Sequence, residues 1–368
     1  MDSDLFIYYC ALSRVFAYKC AAGRQLLTRF GDPAALFAAG PKVLSSVMPG
    51  GRELVDRLFD PELLSWAARE VDWARREGIR LLAVDRPGYP RRLAACEDAP
   101  LLLYCKGPAD LDAPRSLAVV GTRKASWHGR ESCRRLVGAL GGLHEKPLIV
   151  SGLALGIDGC AHASALENGL PTVAVLPCGL DEIYPRQHRE LAARIAADGA
   201  LVSDFACGTA PAPFTFLRRN RIIAGLADAT LLAESYRRGG GLITLSLADS
   251  YNRDTFAVPG RLSDASFEGC NRAIARQEAL LVADEYTIPA AMGWTGPVRR
   301  QRRDPLIRPG DSSECRTALR LLQERGPLSA DELSLLLRVG ADTAMVLLLG
   351  LQMEGRVALD GNKFCVSL

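Results

Sequence analysis

The chain has 368 residues, of which 48% are hydrophobic and 24% charged, and its formal net charge is +3. This apolar fraction excludes a disordered chain, and the length predicts a soluble protein with two or three folded domains. A charge of +3 over this length does not by itself suggest a nucleic-acid partner.

The start of the chain and its cysteines bear on the cellular compartment. Residues 1–4 are acidic where a secretory signal is basic, and no uncharged apolar run of about 18 residues occurs. The 11 cysteines contain no C-x-x-C pair. We therefore expect no export, no membrane span, no metal and no cofactor. We expect a cytoplasmic protein whose cysteines are reduced and buried as small hydrophobic residues.

The first part of the chain is predicted to be helical. Across residues 1–78 apolar side chains recur at helical spacing between breaks such as Asp32-Pro33 and Asp60-Pro61, which predicts a small all-helical module. Residues 79–114 lose this period and gain prolines and glycines, and a short apolar strand is predicted at 101–104. We expect an extended connector there.

Residues 115–290 repeat one unit, a short apolar run followed in most cases by a helical stretch. Continuous apolar runs are typical of buried parallel strands joined by helical crossovers. The segment is therefore predicted to be a doubly wound, Rossmann-like α/β domain with a mostly parallel sheet. The predicted strands are 117–120, 148–150, 172–176, 201–205, 230–233, 255–258 and 280–282.

The last part is predicted to be a linker and a second small domain. Residues 291–313 include the basic run Arg299-Arg300-Gln301-Arg302-Arg303 and almost nothing apolar, which favours a flexible linker. Residues 314–368 have three helices and a hairpin turned by Asp360-Gly361, the order of a winged helix. Its third helix, from 342 to 353, has no Lys or Arg, so we expect it to contact protein and not duplex DNA.

Ligands of open α/β sheets bind outside the carboxyl ends of the strands. After the first strand of the domain, Gly121-Thr122-Arg123-Lys124 could hold an anion, although an ordinary turn with a surface arginine explains the segment equally well. After the second strand, the glycines of Ser151-Gly152 and Gly156 suit phosphate approach or close helix packing. His162 has no second ligand at metal spacing, which favours a buried, hydrogen-bonded histidine.

Two further segments carry arginines beside aromatic rings or glycines. Around Asn220, Arg218, Arg219 and Arg221 follow Phe216, a composition typical of a groove for single-stranded nucleic acid, unless the arginines are merely solvated. Later, Gly239, Gly240 and Gly241 precede a helix and could form an anion-binding nest beside Arg237 and Arg238. No P-loop, dinucleotide fingerprint, nucleophile elbow or zinc motif occurs.

Together these segments resemble the DNA-processing protein A family (DprA, also called Smf). The resemblance spans residues 89–274 and rests on Val119-Val120-Gly121-Thr122-Arg123, Ser151-Gly152-Leu153-Ala154, Gly156-Ile157-Asp158, Ala161-His162, Tyr184-Pro185, Arg219-Asn220-Arg221-Ile222-Ile223-Ala224-Gly225-Leu226 and Val258-Pro259-Gly260. It implies a helical module resembling a sterile-alpha-motif fold in front and a winged helix behind.

The resemblance implies a non-catalytic mediator that binds and protects incoming single-stranded DNA, loads the RecA recombinase in natural transformation, and works as a homodimer. The expected dimer contacts are Ile274, Leu280 and Leu281, an apolar stretch that could equally be core. The expected DNA contacts are Gly121, Thr122, Arg123, Lys124, Ser151, Gly152, Phe216, Arg218, Arg219, Asn220, Arg221, Arg237, Arg238, Gly239, Gly240 and Gly241.

An alternative is an enzyme that resembles nucleotide phosphoribohydrolases. Glu234, just before the glycine-rich turn, would act on a nucleotide whose phosphate Arg123 holds. Residues 239–244 match the glycine-threonine signature of such enzymes only in part. A purely structural adaptor is a third interpretation, which the arginine cluster disfavours.

Overall fold

The computed structural model describes residues 2–48, 51–298 and 306–366. Its first part is helical where the spacing predicts helices, and Asp32 and Asp60 cap two of them by accepting hydrogen bonds from the N–H groups of Ala34 and Glu62. The likeness to a sterile-alpha-motif fold stays a prediction. These helices are α1 (Asp2–Val15), α2 (Cys20–Phe30), α3 (Pro33–Ala38), α4 (Gly40–Val47), α5 (Arg52–Leu58) and α6 (Pro61–Arg76).

A nine-stranded, mostly parallel sheet lies at the centre of the part of the chain that the structure describes. Its spatial order is β1-β2-β6-β5-β4-β3-β7-β8-β9, and only the pairs β1–β2 and β2–β6 are antiparallel. The predicted α/β class and all seven predicted strands of this domain are confirmed. The strands are β1 (Arg80–Ala83), β2 (Leu102–Lys106), β3 (Ser116–Gly121), β4 (Leu148–Ser151), β5 (Thr172–Val175), β6 (Ala200–Ser203), β7 (Ala229–Glu234), β8 (Asp254–Ala257) and β9 (Leu280–Leu281).

The direction in which the chain winds reverses beside β3. From β3 the chain steps outward through β4, β5 and β6, then returns to place β7 on the other side of β3. Ligands of such sheets bind where this reversal opens a crevice at the carboxyl ends of the strands.

Helices connect the strands of the sheet, and the last of them follows β9. They are α7 (Arg91–Ala94), α8 (Trp127–Leu140), α9 (Ile157–Glu167), α10 (Arg189–Asp198), α11 (Pro213–Leu226), α12 (Gly240–Ser250), α13 (Glu268–Ala275) and α14 (Thr287–Ala291).

The segment predicted as an extended connector is part of the sheet. Residues 79–114 supply β1 and β2, and β2 pairs with β6 from Tyr104 opposite Ser203 to Lys106 opposite Leu201. The strand predicted at 101–104 is confirmed as β2. Strand β1 is not predicted, and the two strands together make this segment part of the sheet and not an extended connector.

The N-terminal helices share a core with the sheet. Tyr9 and Leu12 of α1 and Phe16, which directly follows it, are fully buried and belong to the same apolar cluster as Tyr104 of β2 and Leu201 of β6. Burial of a large apolar side chain contributes about 1.5–3 kcal/mol. The proposed boundary near residue 78 therefore marks a change of secondary structure within one packed unit.

The last described segment has a core of its own, which includes Leu319, Leu333, Leu348 and Phe364. Its second helix begins with a capping box, in which Ser329 and Glu332 each accept a hydrogen bond from the other's backbone N–H group. The winged-helix assignment stays a prediction, although the elements occur in its order. They are α15 (Ser313–Arg325), α16 (Ala330–Leu337), α17 (Ala341–Met353), β10 (Val357–Asp360) and β11 (Lys363–Val366).

The described start of the predicted linker packs against the sheet domain. Met292, Trp294 and Val298 pack against the sheet core, and the Thr295 carbonyl accepts hydrogen bonds from the His144 N–H and from Arg115. The basic run 299–303 lies outside the described residues.

None of the described helices is by itself long and apolar enough to cross a membrane. The pair α16 and α17 meets that criterion only when taken together, and the two helices are bent by 112° at the break between them.

Candidate nucleic-acid interface

A cleft of about 610 Å³ opens where β3 and β7 end, at the reversal of chain direction. We call it the β3/β7 cleft. Its walls are the loop after β3, the loop after β7 and the start of α11. Most of the predicted DNA-binding residues line it: Gly121, Thr122, Arg123, Phe216, Arg219, Asn220, Arg238, Gly239, Gly240 and Gly241.

Glycines let the two loops approach each other closely. A Cβ atom on Gly241 would lie 3.2 Å from the Cα of Gly121, and one on Gly121 would lie 2.6 Å from the side chain of Ile157. Larger residues at these positions would push the loops apart. The glycines that suggest phosphate approach from the sequence therefore also have a packing role.

Arg123 is the exposed cation on the β3 side of the cleft. Its guanidinium group lies 4.5 Å from the centroid of the Phe216 ring, and Phe216 meets Tyr184 edge-on at 5.5 Å. Among the residues that the structure describes, no carboxylate pairs with Arg123. A stacked, unpaired guanidinium group is free to bind a phosphate.

The start of α12 forms the β7 side of the cleft. Gly239 occupies the N-cap position, and no side chain within the described residues caps the first turn of this helix. The positive end of a helix dipole and its free N–H groups attract anions. Arg238 stands exposed beside this turn, and no ion pair involving it occurs within the described ranges.

Arg219 lies in the wall of the cleft but is only 4% exposed. One of its terminal nitrogens donates to the carbonyls of Gly152 at 2.6 Å and Val175 at 2.5 Å. Burial lowers the pKa of Arg219 to about 10 and raises that of Asp158, and the two opposite charges counteract these shifts. This geometry favours a structural role over the direct phosphate contact expected from the sequence.

Arg218 and Arg221 turn away from the β3/β7 cleft. Both bind the carboxylate of Asp204, at 2.8 and 2.6 Å, and the Asp204 side chain is fully buried. Arg218 also stacks on Tyr18 and Phe205. Neither lines the β3/β7 cleft, and this geometry disfavours the phosphate contacts expected from the sequence, because Asp204 binds both guanidinium groups away from the cleft.

The positions of Arg218 and Arg221 on α11 explain why they share one carboxylate. Residues three apart share one helix face, so Arg218 and Arg221 point together, and Asp204 directly follows β6 at the same edge of the sheet. An aspartate inside an otherwise uncharged predicted strand, 201–205, was the sequence signal for this internal pairing. The solvated-arginine alternative is equally wrong for Arg219 and Arg221.

The remaining predicted contacts have mixed surroundings. Ser151 is buried and donates to the Val119 carbonyl at 2.6 Å, and a Cβ on Gly152 would meet the Arg219 guanidinium at 2.0 Å. Lys124 is exposed beyond the rim, and Arg237 lies 3.7 Å from Glu268. Ser151 and Gly152 therefore shape the cleft from behind its surface.

Sequence reasoning did not assign Tyr184, Leu217 or Tyr236 to the site. All three line the cleft, and Leu217 and Tyr236 are about half exposed. Tyr236 lies two residues after the strand end at Glu234, which was the signal for it. With Phe216, these side chains offer an apolar and aromatic surface next to the exposed arginines.

Glu234, the acid of the alternative enzyme, is fully buried and does not line the cleft. Its Oε2 accepts a hydrogen bond from the Ser126 N–H at 2.9 Å, while Oε1 has no partner. Burial raises the pKa of this carboxyl. It is packed against the start of α8, where a nucleotide in the cleft cannot reach it.

His162 is fully buried, and its Nδ1 lies 2.7 Å from the Thr172 hydroxyl, as the hydrogen-bonded interpretation predicts. No group of metal-ligating side chains occurs in residues 2–48, 51–298 and 306–366. All 11 cysteines are free, and eight of them are buried. The predicted dimer residues lie at the far edge of the sheet, with Leu280 and Leu281 about half exposed on β9 and Ile274 partly buried against the core.

Comparisons with known proteins agree on one family. Residues 80–292 match the family model described as DNA recombination-mediator protein A. DNA processing protein DprA of Streptococcus pneumoniae is 41% identical over 197 residues, which cover 54% of this chain and 69% of the relative.

Two solved structures share the fold. The structure of the S. pneumoniae protein superposes with a TM-score of 0.56 at 35% identity, covering 65% of this chain and 85% of that one. DNA processing protein A from Helicobacter pylori, whose structure is described as explaining its single-stranded DNA binding mode, gives a TM-score of 0.53 at 26% identity over 60% of this chain and 99% of that one.

Proposed function

Because the chain belongs to the DNA recombination-mediator protein A family, we propose that it binds single-stranded DNA in the β3/β7 cleft. The observation that carries the proposal is Arg123, an exposed guanidinium group stacked on Phe216 opposite the uncapped start of α12. The H. pylori relative, described by its single-stranded DNA binding, supports the ligand class.

The chemistry of the cleft suits a single strand of any sequence. Arg123, Arg238 and the N–H groups of Gly240 and Gly241 would hold phosphates, and Phe216 and Tyr236 present rings on which bases can stack. Stacking contributes about 1–3 kcal/mol per base and accepts every base. Binding is therefore expected to be independent of sequence and sensitive to salt.

The finer role follows the family resemblance. We propose a cytoplasmic mediator that protects incoming DNA, loads the RecA recombinase during natural transformation and acts as a homodimer through the β9 edge. The exposed Leu280 and Leu281 on a strand with one unpaired edge support the dimer. A monomeric mass in light scattering at micromolar concentration would contradict it.

We propose binding without catalysis, because the acid required by the alternative enzyme is buried behind the start of α8. Incubation with nucleoside monophosphates is expected to release no free base. Release of base that Glu234→Gln abolishes would favour the phosphoribohydrolase instead.

A salt titration of binding to a single strand and to a duplex of equal length tests the proposed function. We expect tighter binding to the single strand, with affinity falling linearly on logarithmic axes as salt rises. Arg123→Ala is expected to weaken single-strand binding about tenfold, or ~1.4 kcal/mol, and to reduce the slope by about 0.7, because one phosphate contact is lost. Arg194→Ala, which removes an exposed arginine on α10, is the matched control. Unchanged affinity and slope for Arg123→Ala would contradict the proposal.

A further inference from the structure

A second basic cleft adjoins the first. It lies between α12 and α13, encloses about 450 Å³ and is lined by Arg237, Arg238, Arg272 and Arg276. We call it the α12/α13 cleft. The acidic side chains in its lining are Asp249 and Glu278, so the four guanidinium groups outnumber the carboxylates.

Arg238 connects the two clefts, because its side chain lines both. On one side it borders the glycine turn that begins α12, and on the other it faces Arg272 and Arg276 of the α13 region. A polyanion that leaves the β3/β7 cleft along this side therefore meets further cations, which outnumber the two acidic side chains of the lining.

The acidic partners of these arginines hold them weakly. Arg237 and Arg272 each lie 3.7 Å from Glu268, and Arg276 lies 3.6 Å from Glu278. These side chains are between 40% and 64% exposed, and exposed ion pairs contribute about 0–1 kcal/mol. A phosphate can therefore replace the carboxylates, in contrast to the buried Asp204 that binds Arg218 and Arg221.

We propose that the α12/α13 cleft is a second phosphate-binding subsite, which holds the continuation of a DNA strand bound in the β3/β7 cleft. The inference rests on the proposed function and adds the path of the strand. The path leads from the carboxyl edge of β3 past α12 to α13, after which a short turn leads into the edge strand β9.

Binding of short and long thymidine oligonucleotides, of about 5 and about 20 nucleotides, tests this path. Affinity for the short one is measured by competition with the labelled long one. Arg272→Gln with Arg276→Gln is expected to weaken binding of the long oligonucleotide about five- to tenfold and to reduce its salt slope by about 1.4, because two phosphate contacts are lost. Binding of the short oligonucleotide is expected to change less than about twofold, since it can be held by the β3/β7 cleft alone.

Two controls separate charge from structure. Arg272→Lys with Arg276→Lys keeps both charges and is expected to retain the salt slope, while Arg194→Gln with Arg320→Gln removes two exposed arginines elsewhere and is expected to change nothing. Light scattering of each variant checks that its oligomeric state equals that of the wild type.

Each result has a distinct meaning. If the Gln pair binds both lengths like the wild type, or weakens both equally, the second subsite is overturned while the effect of Arg123→Ala still supports the first. If Arg123→Ala leaves both lengths unchanged, the proposed function itself fails.

Discussion

The arginines near the β3/β7 cleft differ in the groups that they contact. Arg123 and Arg238 have no carboxylate partner in the described part of the chain, whereas Arg218 and Arg221 share the buried Asp204 and Arg219 bonds to two backbone carbonyls. Removing one partner of a buried ion pair costs about 3–5 kcal/mol, so the second group is held in place. Arg123 and Arg238 are available to a ligand, and Arg218, Arg219 and Arg221 are not.

The buried His162 makes the stability of the protein depend on pH. The Thr172 hydroxyl donates to the Ile149 carbonyl at 2.9 Å, so it accepts the Nδ1 proton of His162 and leaves Nε2 unprotonated and without a partner. Burial lowers the pKa of His162 from the ordinary 6.5 to about 3. Between these values the unfolded chain binds a proton that the folded protein does not, so stability is lost as pH falls.

We expect His162 to contribute a loss of about 2 kcal/mol in the free energy of unfolding between pH 7 and pH 5. His162→Asn keeps a donor for Thr172 but cannot titrate, so the loss over this pH range should shrink by about that amount. Urea unfolding of both proteins at the two pH values measures it. The same loss in both proteins would show that His162 does not titrate in this way.

At the scale of elements, α11 is fastened from three directions. Asp204, which follows β6, binds two arginines of α11. Arg219 of the same helix donates to carbonyls at the ends of β4 and β5. Tyr18, from the loop after α1, packs on Phe214 and Arg218. These contacts set the position of Phe216, the ring on which Arg123 stacks. The arginine cluster therefore shapes the cleft indirectly, because it holds α11 in place.

Asp204→Ala is expected to lower the free energy of unfolding by about 3–5 kcal/mol, because it leaves two buried guanidinium groups without their carboxylate. Chemical denaturation measures the change. Asp198→Ala, at an exposed position on α10, is the matched control and is expected to stay within about 0.5 kcal/mol of the wild type. A loss at Asp204 no larger than at Asp198 would contradict the role given to this carboxylate.

At the scale of the whole molecule, the last domain has a face unsuited to duplex DNA. Helix α17 has no Lys or Arg, and Val346 and Met353 are 70% and 91% exposed on it. A helix that reads the major groove is expected to be basic. This apolar face favours contact with protein, as the sequence predicts.

A fragment of residues 306–368 contains the whole separate core and is therefore suited to a binding test. We expect its affinity for duplex DNA to be at least about 100-fold weaker than the affinity of the full chain for a single strand, because α17 supplies no phosphate contact. Fluorescence anisotropy with both DNA forms measures this. Tight duplex binding by the folded fragment, checked by circular dichroism, would contradict the prediction.

Elements that depend on local sequence could be predicted, whereas elements that depend on distant contacts could not. The strands from β3 to β9 are continuous apolar runs, and the caps at Ser329 and Asp60 are local signals, so they are visible without a structure. Strand β1 is short and begins with an arginine, and its pairing with β2 depends on contacts that periodicity does not encode. Strand β1 is missed for that reason, whereas the apolar strand predicted at 101–104 is confirmed as β2.

The sequence by itself determined the class of fold, the glycine turns after β3 and β7, and the concentration of arginines near one edge of the sheet. Only the tertiary structure decided which arginines a ligand can reach, because that depends on where Asp204 and the carbonyls of Gly152 and Val175 lie in space. A net charge of +3 cannot distinguish a neutralised arginine from a free one. Burial and pairing with a carboxylate do distinguish the two kinds of arginine, and they leave Arg123 and Arg238 facing solvent.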